Sequence, residues 1–133
     1  MIVAVADTHA ALWYIYSDDR LSRSARALLD HAAAEGYKVA ISSISLAELV
    51  YLCEKGRVGE DAYRDLRGLL SDTGGLFVEA PVDRNVTDSM HRIPRSSVPD
   101  MPDRIVAATG LHLAVPVISR DGKIRSANLL TVW

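Results

Sequence analysis

The 133-residue sequence has a single cysteine, Cys53, so no disulfide can form within the chain. It has no apolar run close to the roughly 20 residues that a membrane-spanning helix requires. Its N-terminus also lacks the basic segment and apolar stretch of a secretory signal. Because disulfides are rare in reducing compartments, these absences together predict a cytoplasmic protein that does not enter a membrane.

The chain also lacks a large excess of one charge. It has 15 Lys and Arg against 17 Asp and Glu, which gives a formal net charge of −2. A strongly basic chain would indicate nucleic-acid binding. This balance neither indicates nor excludes that class of protein, because a local basic patch can lie on a nearly neutral surface. The four histidines are scattered without the spacing of metal ligands: His9, His31, His91 and His112.

The chain does contain short apolar runs that alternate with helical segments. The first run, "IVAVA" at 2–6, is unbroken, as in a strand covered on both faces. Strands alternating with helices indicate a parallel sheet between two layers of helices. The predicted fold class is therefore α/β, a single-domain α/β/α sandwich over 1–133 with a central parallel sheet of four to five strands. The predicted strands cover 2–6, 37–42, 76–81, 115–119 and 128–133, the helices cover 8–17, 22–35, 45–56, 60–71, 83–91 and 102–112, and a loop covers 92–102.

Four acidic residues are predicted at one edge of this sheet. Asp7 directly follows the first strand, and Asp121 follows the fourth. Glu48 lies in the first turns of the helix after the second strand, and Asp103 lies in the first turn of the helix before the fourth. The carboxyl ends of parallel strands meet at one edge, where α/β sheets bind ligands. We therefore expect these four side chains to lie together.

Each acid also has a purely structural interpretation, and no single one is specific. Residues that only cap helices or form turns have no reason to converge on one edge, which favours a shared site. The structural alternatives are an N-cap at Asp7, a capping box from Ser45 to Glu48, a helix-dipole interaction at Asp103 with Asp100 as the N-cap, and a turn at Asp121-Gly122.

Several carboxylates in one place would attract a cation. Two carboxylates ~4 Å apart repel by about 1 kcal/mol in water and by about 4 kcal/mol at an effective dielectric constant of 20. A cluster of them therefore takes up a proton or a cation. The proposed ligands are hard oxygen atoms, without Cys or His, which favours Mg²⁺ or Mn²⁺ over zinc.

Four segments place the sequence beside a known family. "VADTHAALW", "ISSISLAEL", "DMPDRIVAAT" and "VISRDGKI" occur in the order and spacing of PIN-domain ribonucleases. The chain resembles in particular the VapC-type toxins of bacterial toxin–antitoxin pairs, over essentially its whole length. It departs from them in the third segment, where "DMPDR" stands in place of the common "DPFDR". Both acids stay in register, but the proline is shifted, and the shape of the loop before it can differ.

The resemblance implies a function and a site. It implies hydrolysis of RNA phosphodiester bonds with one or two Mg²⁺ ions, which activate a water and take up charge on the phosphate. No side-chain nucleophile is then required. By position, the resemblance implies catalytic and metal-binding roles for Asp7, Glu48, Asp103 and Asp121, supporting hydroxyls at Thr8 and Ser119, and a ligand through water or a simple cap at Asp100.

An RNA substrate also requires cations around the site. Basic residues lie next to the last two acidic segments and in the loop before them. Their alternative role is solvated surface charge, or, for Arg104, an ion pair within the acidic site. The candidates for phosphate contacts are Arg92, Arg95, Arg104, Arg120, Lys123 and Arg125.

The resemblance implies partners as well. Toxins of this type are usually homodimers, inhibited by a small antitoxin protein that lays a basic or apolar segment across the site. One helix cannot bury the whole run "WYIY" at 13–16 against its own core. We expect one or two of these side chains to face a partner, although a tightly packed core helix is a close alternative.

Two other classes of protein are weaker interpretations. A phosphate-signalling receiver domain would need paired acids after the first strand, an acceptor aspartate ending the third and a lysine ending the last, but this chain has Asp7-Thr8, "VEAP" and the C-terminal Trp133 there. A catalytically inert PIN-like domain that binds RNA or protein has no need for four repelling carboxylates.

Overall fold

The computed structural model describes residues 1–127 and 129–133, and its centre is a five-stranded sheet in which neighbouring strands are parallel. The strands are β1 (Ile2–Ala6), β2 (Lys38–Ser42), β3 (Phe77–Ala80), β4 (Val117–Ile118) and β5 (Thr131–Val132). Their order across the sheet is β3-β2-β1-β4-β5. The predicted α/β fold with a parallel sheet is confirmed. Of the last predicted strand, Asn128 lies outside the described residues.

Helices connect the strands, and six of them match predicted segments to within two residues at each end. The first ends earlier than predicted because Ser17 has a left-handed φ of 53°. The seventh helix is short and was predicted as a turn. None of the helices in the described part of the chain is long and apolar enough to cross a membrane. The helices are α1 (Thr8–Ile15), α2 (Arg23–Glu35), α3 (Ser43–Glu54), α4 (Ala62–Ser71), α5 (Arg84–Met90), α6 (Met101–Leu113) and α7 (Gly122–Ser126).

The central strand β1 is buried on both faces. Ala4 and Ala6 pack into an apolar cluster with α1 to α4, whereas Val5 packs into a second cluster with α5 to α7. Successive side chains of a strand point to opposite faces, so the sheet lies between two layers of helices, as predicted. The backbone N–H of Asp7 donates to the Ile118 carbonyl at 3.0 Å. This bond fixes Asp7 where β1 and β4 leave the core together.

Close packing between α6 and β4 requires Gly110. A Cβ atom there would lie 2.5 Å from Val117 Cγ2, which is too close, and 3.3 Å from the Val115 carbonyl oxygen, which is a tight contact. The absence of a side chain therefore lets the C-terminal part of α6 approach β4 directly.

Candidate active site

Five carboxylates line one cavity of about 480 Å³ at the carboxyl edge of the sheet. They come from the ends of β1 and β4 and from the N-terminal parts of α3 and α6. The convergence expected for four acids is therefore observed, and a fifth acid joins them. The five are Asp7, Glu48, Asp100, Asp103 and Asp121, and the other lining residues are Thr8, His9, Trp13, Arg20, Val106 and Arg120.

Asp7 both caps a helix and lines the cavity. Its Oδ1 accepts a hydrogen bond from the Ala10 N–H at 2.8 Å, which makes Asp7 the N-cap of α1. Burial raises the pKa of its carboxyl, and hydrogen bonds from the Ser119 hydroxyl and the Ala10 N–H oppose that shift. Ser119 is fully buried, and its Oγ also accepts from the Asp121 N–H at 3.0 Å. This hydroxyl thus links two of the five acids.

Glu48 is held by hydroxyl groups, and the predicted capping box is wrong. Ser42 is the N-cap of α3, one turn before the predicted position. Thr8 Oγ1 lies 2.5 Å from Glu48 Oε1 and 2.9 Å from Ser45 Oγ. Because an ionised carboxylate can only accept, Thr8 donates its one hydroxyl hydrogen to Glu48, and Ser45 in turn donates to Thr8. Thr8 and Ser45 are 3% and 0% exposed, so this chain of two hydroxyls fixes the Glu48 carboxylate.

Asp103 experiences the negative charge of the whole cluster. Burial first, and then the charges of the other four cavity carboxylates, raise the pKa of Asp103 from 3.8 to about 7. A carboxyl with such a pKa is poised between holding a proton and holding a cation at neutral pH. When all five carboxylates are ionised, the site therefore has an unfavourable negative charge that a bound proton or cation would offset.

Asp100 and Asp121 each use one oxygen to cap a helix. Asp100 Oδ2 accepts from the Asp103 N–H at 3.0 Å, as its N-cap interpretation predicted. Asp121 Oδ1 accepts from the N–H groups of Lys123 and Ile124, at 3.0 and 2.9 Å. The residue therefore begins α7 and does not form an isolated turn. These caps fix both side chains and leave one carboxylate oxygen of each free of helix capping.

The donor set fits a hard divalent cation in its chemistry. All five acids supply oxygen atoms as ligands. The raised pKa values of Asp7 and Asp103 mean that their ionised forms are unfavourable in the cavity, and a bound cation would stabilise them. As the side chains lie, no three His, Cys, Asp or Glu residues of 1–127 and 129–133 are close enough together to hold one ion. The cavity therefore offers suitable ligands that would have to draw together around a cation.

Of the six basic residues predicted to contact phosphate, one lines the acidic cavity, Arg120. Among the described residues Arg104 forms no ion pair with the acidic site. Its guanidinium donates to the Ile93 and Met90 carbonyls at 3.0 and 2.8 Å and holds the preceding loop, and its phosphate contact remains a prediction. Arg92 lines a separate cavity beside Leu111 and Leu129. The remaining three are exposed and do not line the acidic cavity: Arg95, Lys123 and Arg125.

The aromatic run in α1 is only partly buried. Trp13 is buried, Tyr14 and Ile15 are half-buried, and Tyr16 is 51% exposed. The hydroxyl groups of Tyr14 and Tyr16 donate to Asp30 and Asp65, at 2.8 and 2.6 Å. The prediction that one or two of these side chains face a partner remains a prediction, with Tyr16 the most exposed of them.

The chain is similar in sequence and in fold to proteins of several bacteria. The chain is 25% identical over 136 residues to Ribonuclease VapC22 of Mycobacterium tuberculosis, with all of both chains covered. It superposes with a TM-score of 0.70 and 19% identity on a chain of VapBC2 from Rickettsia felis, solved bound to a DNA fragment from its promoter, covering 98% of this chain and 97% of that one. A toxin-antitoxin complex from Klebsiella pneumoniae gives a TM-score of 0.58 and 21% identity, covering 92% and 90%.

The sequence also matches a model of one family over most of its length. The PIN domain model aligns with residues 4–129, which include every helix of the described residues, the four acidic motifs, the strands β2 to β4 and the last three residues of β1. The solved structures have the same fold across almost the whole chain. This chain therefore belongs to the PIN domain family.

Proposed function

We propose that this protein is a metal-dependent endoribonuclease and the toxin of a toxin–antitoxin pair, which would inhibit translation or growth. The observation that carries the proposal is the cavity in which five carboxylates meet, where burial and then the neighbouring carboxylates raise the pKa of Asp103 to about 7. The name of the mycobacterial relative and the nature of the Klebsiella complex support a ribonuclease that pairs with an antitoxin.

The four acids first identified in the sequence are the proposed ligands of one or two Mg²⁺ or Mn²⁺ ions, with Asp100 acting through water. A divalent cation bound there would lower the pKa of a water that attacks phosphorus and would offset charge on the phosphate. The chain's own residues orient the ligands: Thr8 holds Glu48, and Ser119 joins Asp7 to Asp121. The single cysteine, Cys53, does not line the cavity, which is consistent with a reaction that uses no side-chain nucleophile.

The wider setting follows the same proposal. Residues 1–133 would form one PIN domain that acts in the cytoplasm as a homodimer, with RNA as substrate and a cognate antitoxin as inhibitor. A catalytically inert PIN-like domain that binds RNA or protein is the alternative. The receiver-domain interpretation is inconsistent with membership of the PIN domain family.

The direct test is cleavage of single-stranded RNA by the purified chain. We expect cleavage with MgCl₂ or MnCl₂ and none after excess EDTA, because the carboxylates alone repel the phosphate that they must bind. Gel analysis of a labelled RNA measures both conditions. Cleavage that continues in EDTA would exclude the metal mechanism, and no cleavage with either cation would favour the inert alternative.

Thr8→Val should slow this cleavage by about 10-fold, within the range for loss of a group that orients a metal ligand. Valine has nearly the same shape but cannot donate to Glu48, so the carboxylate loses its fixed orientation. The rate is measured across a MgCl₂ series, in which the half-saturating concentration should also rise, and Thr8→Ser should restore both values.

Thr109→Val is the matched control for this substitution. Thr109 is also buried, but its hydroxyl donates to the Ile105 carbonyl at 2.7 Å and does not line the cavity. This variant should cleave at the normal rate. Equal MgCl₂ dependence in Thr8→Val and the unsubstituted protein would show that Thr8 does not position Glu48.

A further inference from the structure

Two arginines lie at the wall of the acidic cavity against one indole ring. The guanidinium carbons of Arg120 and Arg20 are 4.6 and 5.1 Å from the centre of the Trp13 ring. All three residues line the cavity. Contacts at this distance are attractive because the face of an aromatic ring carries negative charge. Trp13 thus fixes two cations, here called the arginine pair, beside five carboxylates.

Arg120 does not pair with the acids beside it. Within the described residues, 1–127 and 129–133, no ion pair joins Arg120 to a carboxylate. An arginine beside ionised acids would ordinarily form one. The Arg120 guanidinium packs on the indole instead, and its donors are available to a ligand that enters the cavity.

Arg20 is held in place by a neighbour outside the cavity. Its Nε and Nη2 donate to the two carboxylate oxygens of Asp18, at 3.1 and 2.8 Å. Asp18 does not line the cavity. This two-point contact orients the guanidinium and offsets part of its charge, so Arg20 is the weaker of the two cations toward a ligand.

The type of ligand that the arginine pair can bind follows from which of its groups are exposed to the cavity. Trp13 is only 6% exposed, so its ring cannot stack on a nucleobase. The guanidinium groups are the accessible part, and their planar arrays of donors match the oxygens of a phosphate. An anion bound to Arg120 also has to lie beside the carboxylates, which suits a polyanion whose reacting phosphate occupies the acidic centre.

We propose that the arginine pair binds a phosphate that flanks the cleaved bond of the RNA, with Arg120 as the principal contact. The inference rests on the proposed ribonuclease function and adds a substrate-positioning site to it. Arg20 was not identified from the sequence, because it lies in a loop between two helices, outside every acidic motif.

The test measures binding in the Asp7→Asn background, so that it does not depend on cleavage. Affinity for a labelled single-stranded RNA is determined by fluorescence anisotropy in MgCl₂ at several salt concentrations. Arg120→Gln should weaken binding several-fold and reduce the slope of log affinity against log salt by about 0.7, the value for one phosphate contact on a single strand. Arg20→Gln should have a smaller effect in the same direction, and Arg120→Lys should retain the slope.

Arg67→Gln provides the control for a change of net charge. Arg67 is exposed on α4 and does not line the cavity, so the slope should stay unchanged. An Arg120→Gln slope equal to that of Arg67→Gln, or no RNA binding by the Asp7→Asn protein, would overturn the inference. If Arg120→Gln reduces the slope but the protein with its native Asp7 does not cleave RNA, the phosphate site is supported and the proposed ribonuclease activity is rejected.

Discussion

Asp7→Asn is expected to lower RNA cleavage on the order of 100-fold or more, the upper range for disturbing a metal site, while the chain stays folded. Asparagine removes one of the charges proposed to hold the cation. Its side-chain oxygen can still accept from the Ala10 N–H, which Asp7 Oδ1 now does at 2.8 Å. Burial raises the pKa of Asp7, so the folded protein already disfavours the charged form. The melting temperature should therefore equal or exceed that of the unsubstituted chain.

Asp83→Asn separates catalysis from capping. Asp83 caps α5 through hydrogen bonds from the Asn85 and Val86 N–H groups, at 3.0 and 3.1 Å, and does not line the cavity. The two variants thus make the same chemical change at the same kind of cap. Of the two variants, only Asp83→Asn should still cleave RNA at the normal rate. If Asp7→Asn instead melted many degrees lower and kept its cleavage rate per folded molecule, Asp7 would be only a cap.

The sequence predicted the layers of the fold because burial on both faces leaves a direct pattern. The run in β1 has no polar residue, and the structure places helices on both of its sides. Short elements were less predictable. β4 was expected over 115–119, but only Val117–Ile118 pairs with its neighbours. α7 was expected as a turn because Asp-Gly is typical of turns, and only the two hydrogen bonds to Asp121 distinguish a helix start.

The sequence identified the acids of the site and, through the family resemblance, the hydroxyls of Thr8 and Ser119, but not the contribution of Ser45. Topology alone brings residues after parallel strands to one edge, and this rule placed Asp7 and Glu48 correctly. The support of Glu48 by Ser45 depends on a buried contact between two helices that no local pattern encodes. Arg104 shows the converse, since its place in an acidic motif suggested a role at the site while its guanidinium holds a loop.

The metal-free protein is expected to lose stability as pH rises from 3.8 toward 7, the interval between the ordinary pKa of an aspartate and that of Asp103 in the fold. A folded state with the higher pKa keeps its proton in this interval while the unfolded chain releases it. Stability is then fully present below the lower value and falls until the folded carboxyl also ionises. Asp18, whose pKa is lowered to about 2, acts only below this interval. Melting temperature against pH, measured in EDTA, should decline by several degrees.

Asp103→Asn and a divalent cation should each reduce that decline, for different reasons, and the raised pKa of Asp7 leaves part of it in Asp103→Asn. The asparagine has no proton to lose, so its melting temperature should vary less with pH and exceed that of the unsubstituted chain at pH 8. Mg²⁺ binds ionised carboxylates and competes with protons. It should therefore raise the melting temperature at pH 8 and have little effect at pH 5. An undiminished decline in Asp103→Asn would place the proton elsewhere, and equal stabilisation by Mg²⁺ at both pH values would mean that the ion binds outside the carboxylate cluster.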